Sequence, residues 1–483
     1  MKANFKIILW MAVAAVIFTT SCRKTTTIST TENLVSNYDY KVVYDWNELF
    51  LLIDKDALGF RPGPAPKALG YIGLAVYETA VPGMPSFNSL KSHWGSELKI
   101  PAFDKNQNIH WPTAVNACYN YMFKNFFLNT QFVSGAGHLS NADAHRLIDN
   151  MNKKFEDQYS ADLSADVFTN SKAWGRDVAT AVFEWVKTDK VAFEAELNPL
   201  NNDPNKANYY DWRKEMLDAN GKPIPGRWNP TNDNPDGGMF PLWGRTRTFA
   251  TSESEKICRP PLPYSNKVGS PFYVQALEVY SRCNSNISYE DQWIAEFWSD
   301  DNFGLTFSPP ARLMAITDQI LLKEKSNLEK SIEAVAKMGL ALNDFGVACW
   351  NSKFHYKVER PEHFIKREID PNWEPILVNP INGARGLTPS FPAYPSGHST
   401  FGGGGAVILT DVFGSSYEFT DNCHNERTEF NGKSRSFNSF AEAGYEDAIS
   451  RIYLGVHFRM DCEEAVRFGQ SIAGRVLRLP WKK

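Results

Sequence analysis

The residues with the clearest chemical potential lie in three short segments in the last third of the 483-residue chain. In the first segment, Lys353 precedes Arg360 by seven positions, and Pro361 follows directly. Seven residues make nearly two helical turns, so a continuous helix that ends at Pro361 would place both cations on one face. Taken alone, such a pair is more typical of solvated charges than of a binding site.

The second segment is YPSGHS, residues 394–399, which contains Ser396, Gly397 and His398. It predicts a tight turn that opens an apolar helix whose first turn is Gly402–Gly405. Unsatisfied N–H groups and the helix dipole make such a helix start favourable for an anion. The four glycines favour close helix packing over a dinucleotide-binding loop, because no strand precedes them.

The third segment carries Arg451, His457 and Asp461. Gly455 is expected to end the helix that contains Arg451 and to turn the chain so that His457 faces back. Asp461 has two interpretations that are compatible with each other. It could orient His457, or it could form the N-cap of the last helix, with Glu464 completing a capping box.

Together the three segments supply one Lys, two Arg, two His, a Ser hydroxyl and a Gly amide. Each guanidinium fork can bind two oxygens, Lys adds a compact charge, and backbone N–H groups fill the remaining lone pairs. One histidine could bond the central atom while the other transfers a proton. The set predicts a site for a tetrahedral oxyanion.

In this order, the three segments resemble the signature of the type 2 phosphatidic acid phosphatase and vanadium haloperoxidase superfamily. The stretches FPAYPSGH at 391–398, TFGG at 400–403 and AISRIYLGVH at 448–457 are similar to the vanadium chloroperoxidases, and Trp350 fits that branch as well. Two loop pieces, at 226–231 and 241–244, look like those of secreted bacterial relatives. The resemblance implies an all-α fold built from helical bundles of the vanadium chloroperoxidase and acid phosphatase type.

The resemblance also implies a cofactor, vanadate, and a role for each matched residue. His457 would bond vanadium axially, and His398 would act as the acid or base. The remaining vanadate-binding residues would be Lys353, Arg360, Ser396, Gly397 and Arg451.

On this basis the expected reaction is oxidation of a halide by hydrogen peroxide to hypohalous acid, with Lys353 polarising the bound peroxide. A small organic molecule would be the final halogen acceptor. Phe391 occupies a position where bromide-preferring relatives tend to carry His, which favours the chloroperoxidase type but leaves the choice of halide open.

The same residues also describe an acid phosphatase that hydrolyses phosphate monoesters. In that alternative His457 would attack phosphorus, Asp461 would hold its imidazole, and His398 would protonate the leaving alkoxide. The motif residues do not choose between the two reactions. A third class, a surface binding protein with a degenerate site, is disfavoured because every charged member of the site is present.

Three further residues near the motifs have weaker interpretations. Asp301 could pair with Arg451 and fix its guanidinium, as an acidic residue in a similar segment of the chloroperoxidases does, or it could simply belong to a turn at a helix end. His355 and His363 flank the first motif and are expected to be surface residues or neighbours of the site instead of ligands.

Helical spacing of apolar residues dominates the chain, and no segment alternates with a period of two. We expect a polar tether at 23–40, an N-terminal helical region at 41–198, a long loop insertion at 199–263 and a C-terminal helical catalytic region at 264–483. The predicted helices include Tyr44–Leu52, Leu69–Val81, Thr113–Phe127, Ala142–Phe155, Ala165–Val186, Tyr273–Tyr280, Glu290–Phe297, Ala311–Leu322, Leu328–Trp350, Thr400–Phe413, Phe440–Tyr453 and Cys462–Leu477.

Residues 1–22 resemble a bacterial lipoprotein signal, with an apolar stretch too short to span a bilayer and a terminal Cys22. We therefore expect an exported protein of the outer membrane or periplasm, attached by a lipid on Cys22; the alternative is plain secretion, with Cys22 inside the discarded peptide. The net charge of −4 without a long basic run does not favour nucleic acid as a partner. Six further cysteines without a CxxC motif disfavour zinc and leave disulfide pairing and oligomeric state open.

Overall fold

The computed structural model describes residues 33–197, 202–206, 209–231, 237–284, 286–379 and 383–483. The predicted signal peptide, Cys22 and residues 23–32 of the predicted tether lie outside these residues. From residue 33 onward the chain packs on the folded body, because Val35 is fully buried and the carbonyl of Tyr38 accepts a hydrogen bond from the N–H of Leu328.

The prediction of an all-α fold is confirmed. The described residues form fifteen α-helices and two small two-stranded sheets. The helices are α1 (Lys41–Asp56), α2 (Pro64–Ala80), α3 (Trp111–Phe126), α4 (Asn141–Ser160), α5 (Ala165–Val186), α6 (Lys190–Leu197), α7 (Arg213–Met216), α8 (Pro271–Arg282), α9 (Tyr289–Phe297), α10 (Ala311–Glu324), α11 (Leu328–Tyr356), α12 (Pro361–Glu368), α13 (Gly397–Phe413), α14 (Phe440–Tyr453) and α15 (Arg459–Leu477).

The sheets are accessory to the helices. Strands β1 (Ala57–Leu58) and β2 (Gln131–Phe132) pair antiparallel, with Ala57 opposite Phe132. Strands β3 (Phe419–Asp421) and β4 (Arg435–Phe437) form an antiparallel pair between α13 and α14. None of the helices in the described part of the chain is long and apolar enough to cross a membrane.

Glycines allow the central helices to approach closely. A Cβ atom on Gly339 of α11 would lie 2.4 Å from the carbonyl oxygen of Leu69 in α2. A Cβ atom on Gly444 of α14 would lie 2.4 Å from the carbonyl oxygen of Gly402 in α13, and one on Gly403 would lie 2.7 Å from the backbone of α15. Gly402–Gly405 therefore serve helix packing, as the sequence indicated, and they bring α13, α14 and α15 together around the site.

The predicted loop insertion at 199–263 contains, among its described residues, only the short α7 and two single turns of 3-10 helix. It is nevertheless fixed to the body. The buried carboxylate of Asp344 in α11 accepts hydrogen bonds from the N–H groups of Phe249, Ala250 and Thr251 at 2.6 to 2.9 Å. This loop is therefore anchored to α11.

The six cysteines of the described chain are all free thiols, and five of them are buried: Cys118, Cys258, Cys283, Cys349 and Cys462, with Cys423 half-buried. The fold of the described residues is therefore held by its apolar core without disulfides.

Candidate active site

Lys353 and Arg360 reach one place from two different elements. The expectation of a single helix through both residues is wrong: α11 ends at Tyr356, and Lys357 follows with a left-handed φ of +54°. Arg360 is the extended N-cap residue of α12, because Pro361 begins this helix instead of ending the previous one. The two cations are brought together by the turn and not by helical spacing.

Both side chains donate hydrogen bonds to backbone carbonyls of the segment that leads into α13. The Lys353 ammonium donates to the carbonyls of Pro392 at 2.7 Å and Ala393 at 2.9 Å. The Arg360 guanidinium donates through Nε to the carbonyl of Phe391 at 2.9 Å and through Nη1 to that of Val456 at 2.8 Å. Lys353 and Arg360 are completely buried.

The turn predicted at residues 394–399 leads into α13 and includes its first residues. The helix starts at Gly397, five residues before the predicted first turn at Gly402, because Ser396 acts as its N-cap. The Ser396 hydroxyl accepts from the N–H of Ser399 at 3.4 Å and from its hydroxyl at 2.8 Å. The N–H groups of this helix start, including that of Gly397, are donors without intrahelical acceptors.

His457 follows the turn at Gly455, whose φ of +84° ends α14 and redirects the chain as predicted. Its Nε2 lies 3.0 Å from Nη1 of Arg360, and its Nδ1 lies 3.0 Å from Oδ2 of Asp461. Since a guanidinium can only donate, we assign the Nδ1–H tautomer, which donates to Asp461 and leaves a lone pair on Nε2. In the free protein this lone pair accepts from Arg360, and a central atom could take the place of that hydrogen bond.

Asp461 orients His457 but is not the N-cap of the last helix. That helix begins at Arg459, so Asp461 occupies its third position, and its Oδ2 also accepts the N–H of Phe458 at 2.9 Å. Glu464 instead accepts from the N–H of Arg259. Asp461 therefore satisfies the start of α15 and holds the imidazole with the same oxygen.

His398 is the second residue of α13. Its Nε2 lies 3.1 Å from the carbonyl oxygen of Ser299, which can only accept, so Nε2 carries the hydrogen and Nδ1 keeps a lone pair. Burial, helped by the charge of Arg451, lowers the pKa of His398 to about 4. The imidazole is therefore neutral at ordinary pH.

Arg451 comes from α14 and meets Asp301 as the sequence suggested. Its Nη2 donates to Oδ2 of Asp301 at 2.8 Å. Its Nε and Nη1 are buried and have no hydrogen-bond partner among the described residues. Two unsatisfied donors on a buried guanidinium are costly in the free protein, and they indicate a site for an acceptor.

The electrostatics of the cluster favour an anion. Burial, together with Arg360, lowers the pKa of Lys353 to about 7. Burial and the surrounding cations lower the pKa of His457 well below its usual range, whereas burial raises the pKa of Asp461 to about 7. An anion would relieve the repulsion among the cations, so the residues fit a bound tetrahedral oxyanion.

A cavity of about 150 Å³ with a mostly apolar wall opens onto Gly397, His398, Arg451 and His457, whereas Lys353, Arg360, Ser396 and Asp461 do not line it. Trp350 and Phe391 pack against each other in this wall with ring centroids 4.9 Å apart. The Lys353 ammonium lies 5.8 Å from the Trp350 ring and 5.1 Å from the Phe391 ring. The lining also includes Arg61, Pro62, Met239, Asp301, Asn302, Phe303, Pro309, Pro310, Leu377, Asn379, Leu387, Thr388, Pro389, Gly397, His398, Phe401, Arg451 and His457.

Sequence reasoning missed the groups that hold the turn at residues 299–301. Arg312 donates to the Asp300 carboxylate at 3.2 and 3.3 Å, and Nε2 of His424 lies 2.5 Å from the same carboxylate. Arg61 donates to the backbone carbonyl of Asp300 at 3.1 Å. This turn carries the partners of both His398 and Arg451. Arg61 and His424 come from distant parts of the chain, and no local pattern marks their contacts with this turn.

His355 and His363 do not line the cavity. His355 is exposed and His363 is half-buried, as expected for residues outside the site. Among the described residues, no cluster of three or more His, Cys, Asp or Glu side chains could hold a metal cation. The cations and the helix start described above are suited instead to an oxyanion.

Comparisons with known proteins agree with this geometry. Residues 333–480 match the family model of the VCPO second helical-bundle domain. The vanadium chloroperoxidase of Curvularia inaequalis is 26% identical over 320 residues, which cover 50% of this chain and 52% of that protein. The match thus spans about half the length of the curated relative.

Solved structures extend the likeness to nearly the whole chain. The crystal structure of the first bacterial vanadium-dependent iodoperoxidase has a TM-score of 0.74 and 26% identity, and the match covers 92% of this chain and 98% of that one. A holo-type bacterial vanadium-dependent chloroperoxidase has a TM-score of 0.61 at 14% identity, covers 88% and 94% of the two chains, and shows the shared fold. The resemblance to the vanadium haloperoxidases is confirmed.

Proposed function

Because the chain resembles the vanadium haloperoxidases in sequence and in fold, we propose that it binds vanadate and oxidises a halide with hydrogen peroxide to hypohalous acid. The observation that carries the proposal is the pair of buried, unpartnered donors of Arg451 in a cluster that also offers the Nε2 lone pair of His457. Such a cluster suits an anion whose central atom accepts a nitrogen ligand in place of the hydrogen bond from Arg360.

Each residue of the cluster has a distinct part in holding that anion. Lys353, Arg360 and Arg451 supply the positive charge, and Ser396 and the N–H of Gly397 supply neutral donors at the start of α13. The Nε2 of His457 would be the covalent link, and Asp461 keeps this nitrogen free of a proton by accepting the hydrogen on Nδ1.

Bound vanadate would supply a Lewis acid that activates hydrogen peroxide for a two-electron oxidation. The protein supplies the proton transfer. His398 is neutral because burial lowers its pKa to about 4, and Nδ1 is its basic nitrogen, so it can take a proton from incoming peroxide. The apolar wall at Trp350 and Phe391 would exclude water, which strengthens the attraction between a halide in the cavity and the cations around it, including the Lys353 ammonium behind the two rings.

The experiment that tests this function uses the protein purified without phosphate, with and without orthovanadate. One set of wells follows halogenation of a dione by peroxide with chloride, bromide or iodide, and another follows hydrolysis of a nitrophenyl phosphate. We expect halogenation that depends on vanadate. Oxidation of chloride would support the interpretation that Phe391 marks the chloroperoxidase type. Oxidation of iodide alone would indicate a halide preference like that of the bacterial iodoperoxidase.

The phosphatase alternative rests on the same imidazole, since the Nδ1–H to Asp461 contact also suits a nucleophilic His457. Phosphate release that vanadate abolishes, without halogenation under any halide, would replace the proposal with this alternative.

We also propose export and lipid attachment, from the leader sequence alone. Cells that express the full chain should incorporate a labelled fatty acid into it, and Cys22→Ser should abolish this labelling. Labelling that survives the substitution would rule out Cys22 as the acceptor.

A further inference from the structure

A thioether lies in the wall of the cavity where the oxidant would form. Among the described residues, Met239 is the single methionine that lines this cavity, and it is half-buried. Its backbone is fixed on both sides, because its N–H donates to the carbonyl of Ser390 at 2.8 Å and its carbonyl accepts from Nε1 of Trp350 at 3.1 Å. The side chain packs against the apolar cluster that contains Trp350, and Phe391 packs against the same cluster.

We propose that Met239 is a self-oxidation site, at which hypohalous acid made in the cavity converts the thioether to the sulfoxide before the acid escapes. This inference rests on the proposed halide oxidation. Thioethers are among the side chains most readily oxidised in proteins, and reductases reverse the change. A half-buried methionine inside the cavity meets the oxidant at its source.

Hypohalous acid and water are the only reagents that this oxidation needs. A sulfur lone pair attacks the halogen of hypohalous acid, forming a sulfur–halogen bond as hydroxide leaves. Water then adds to sulfur, halide departs with the bonding pair, and two protons are lost, one of which neutralises the hydroxide. The sulfur is oxidised by two electrons, and the halogen is reduced from hypohalous acid to halide.

The modification would act on the site through the apolar wall. A sulfoxide places a polar group in a cluster shared with Trp350 and Phe391, the two rings that contact the Lys353 ammonium. We therefore expect oxidation of Met239 to lower the rate of halide oxidation, so that activity declines with the number of turnovers and not with time alone.

The chain offers an internal control for oxidation from bulk solution. Met151 is also half-buried, but it lies on α4 and does not line the cavity. The other methionines in the described part of the chain are nearly inaccessible, namely Met84, Met122, Met216, Met314, Met338 and Met460. The ratio of sulfoxide at Met239 to sulfoxide at Met151 therefore reports where the oxidant reacts.

The experiment runs the vanadate-loaded protein with peroxide and bromide in the presence of excess dione, which scavenges any hypobromous acid that leaves the cavity. Peptide mass spectrometry then measures both methionines. A parallel sample receives hypobromous acid as a reagent, without peroxide, and omission of bromide controls for oxidation by peroxide itself. We expect a several-fold higher ratio of Met239 to Met151 oxidation during turnover than with the reagent.

Equal ratios in the two samples, or halogenation that leaves Met239 intact, would overturn this inference while leaving the proposed function standing. Failure of all halogenation would overturn the proposed function, and the inference with it. As a second measurement, Met239→Leu keeps a similar volume and should sustain several-fold more turnovers, whereas Met151→Leu should behave like the unchanged protein.

Discussion

Replacement of Arg451 by Met tests whether the cationic cluster was built for an anion. The guanidinium is buried, with its side chain 1% exposed, and only its Nη2 has a partner, Asp301, among the described residues. Met matches the length of the aliphatic stem and removes both the charge and the donors. If Nε and Nη1 exist to bind an oxyanion, the change should be severe for binding and mild for folding.

The magnitudes follow from these two donors. A hydrogen bond to a charged group contributes about 1.5–3 kcal/mol, so two of them predict vanadate binding weaker by roughly a hundredfold to ten-thousandfold. For the free energy of unfolding without vanadate, the lost pair with Asp301 is offset by relief of two buried donors, each of which costs about 1–3 kcal/mol when unsatisfied. We therefore expect the vanadate-free variant to unfold near the same temperature as the unchanged protein.

The assay measures the rise of the unfolding temperature with increasing vanadate concentration in phosphate-free buffer. A bound ligand stabilises the folded state by an amount that grows with the logarithm of the ligand concentration divided by its Kd. Calorimetric titration measures the same affinity directly. Arg467→Met is the matched control, since this arginine of α15 is 37% exposed and pairs with Glu464 away from the cavity. Vanadate affinity within about threefold of the unchanged protein, a loss below about 1 kcal/mol, would refute the reasoning that Arg451 holds the anion.

Three other predictions separate the roles of the remaining groups. His457→Ala should weaken vanadate binding, whereas His398→Ala should retain it and lose halide oxidation; equal affinities in the two variants would contradict the assignment. Because burial lowers the pKa of His398 to about 4 from 6.5, the vanadate-free protein should lose up to about 3 kcal/mol of stability as the pH falls between these values, measured by urea unfolding. His398→Asn should flatten this dependence of stability on pH, whereas His355→Gln, at an exposed position, should not. An unchanged slope in His398→Asn would show that His398 is not the group that titrates. Gly469→Ala should lower the urea midpoint, since its Cβ would lie 2.1 Å from a carbonyl oxygen of α13, at a cost of about 1–3 kcal/mol. In Gly474→Ala, on the same helix, the added Cβ would lie 3.6 Å from the Arg478 side chain, an ordinary van der Waals contact, so the midpoint should not fall. Equal effects of the two substitutions would show that the close contact at Gly469 does not affect stability.

Local sequence patterns predicted the helices well, because helix formation depends on residues that are close to each other in the chain. The predicted spans Ala165–Val186 and Phe440–Tyr453 coincide with α5 and α14, where apolar residues repeat at helical spacing and a serine caps each start. The same reasoning predicted the members of an oxyanion site from their types and order, and this assignment stays a prediction. It also anticipated the contact between Asp301 and Arg451.

The errors arose where backbone conformation overrides spacing. Helical periodicity joined Lys353 to Arg360, but the left-handed Lys357 separates them, and a non-glycine residue in this conformation leaves little trace in sequence. The starts of α13 and α15 were each predicted three residues too late. Gly397 begins α13 and Phe458 is the N-cap of α15, and neither residue type is a usual sign of a helix start. The turn around Asp300 was out of reach for a different reason: its partners come from remote parts of the chain and meet only in the folded protein.

The way in which the cations are anchored explains how the site keeps its charge. Lys353 donates to two backbone carbonyls, and Arg360 donates to the carbonyls of Phe391 and Val456. Carbonyl dipoles fix a side chain without cancelling its charge, whereas a carboxylate partner would neutralise it. Arg451 does pair with Asp301, yet it keeps two donors for another acceptor. Rigid positioning and residual positive charge are thus obtained together, and a bound oxyanion is the species that such an arrangement stabilises most.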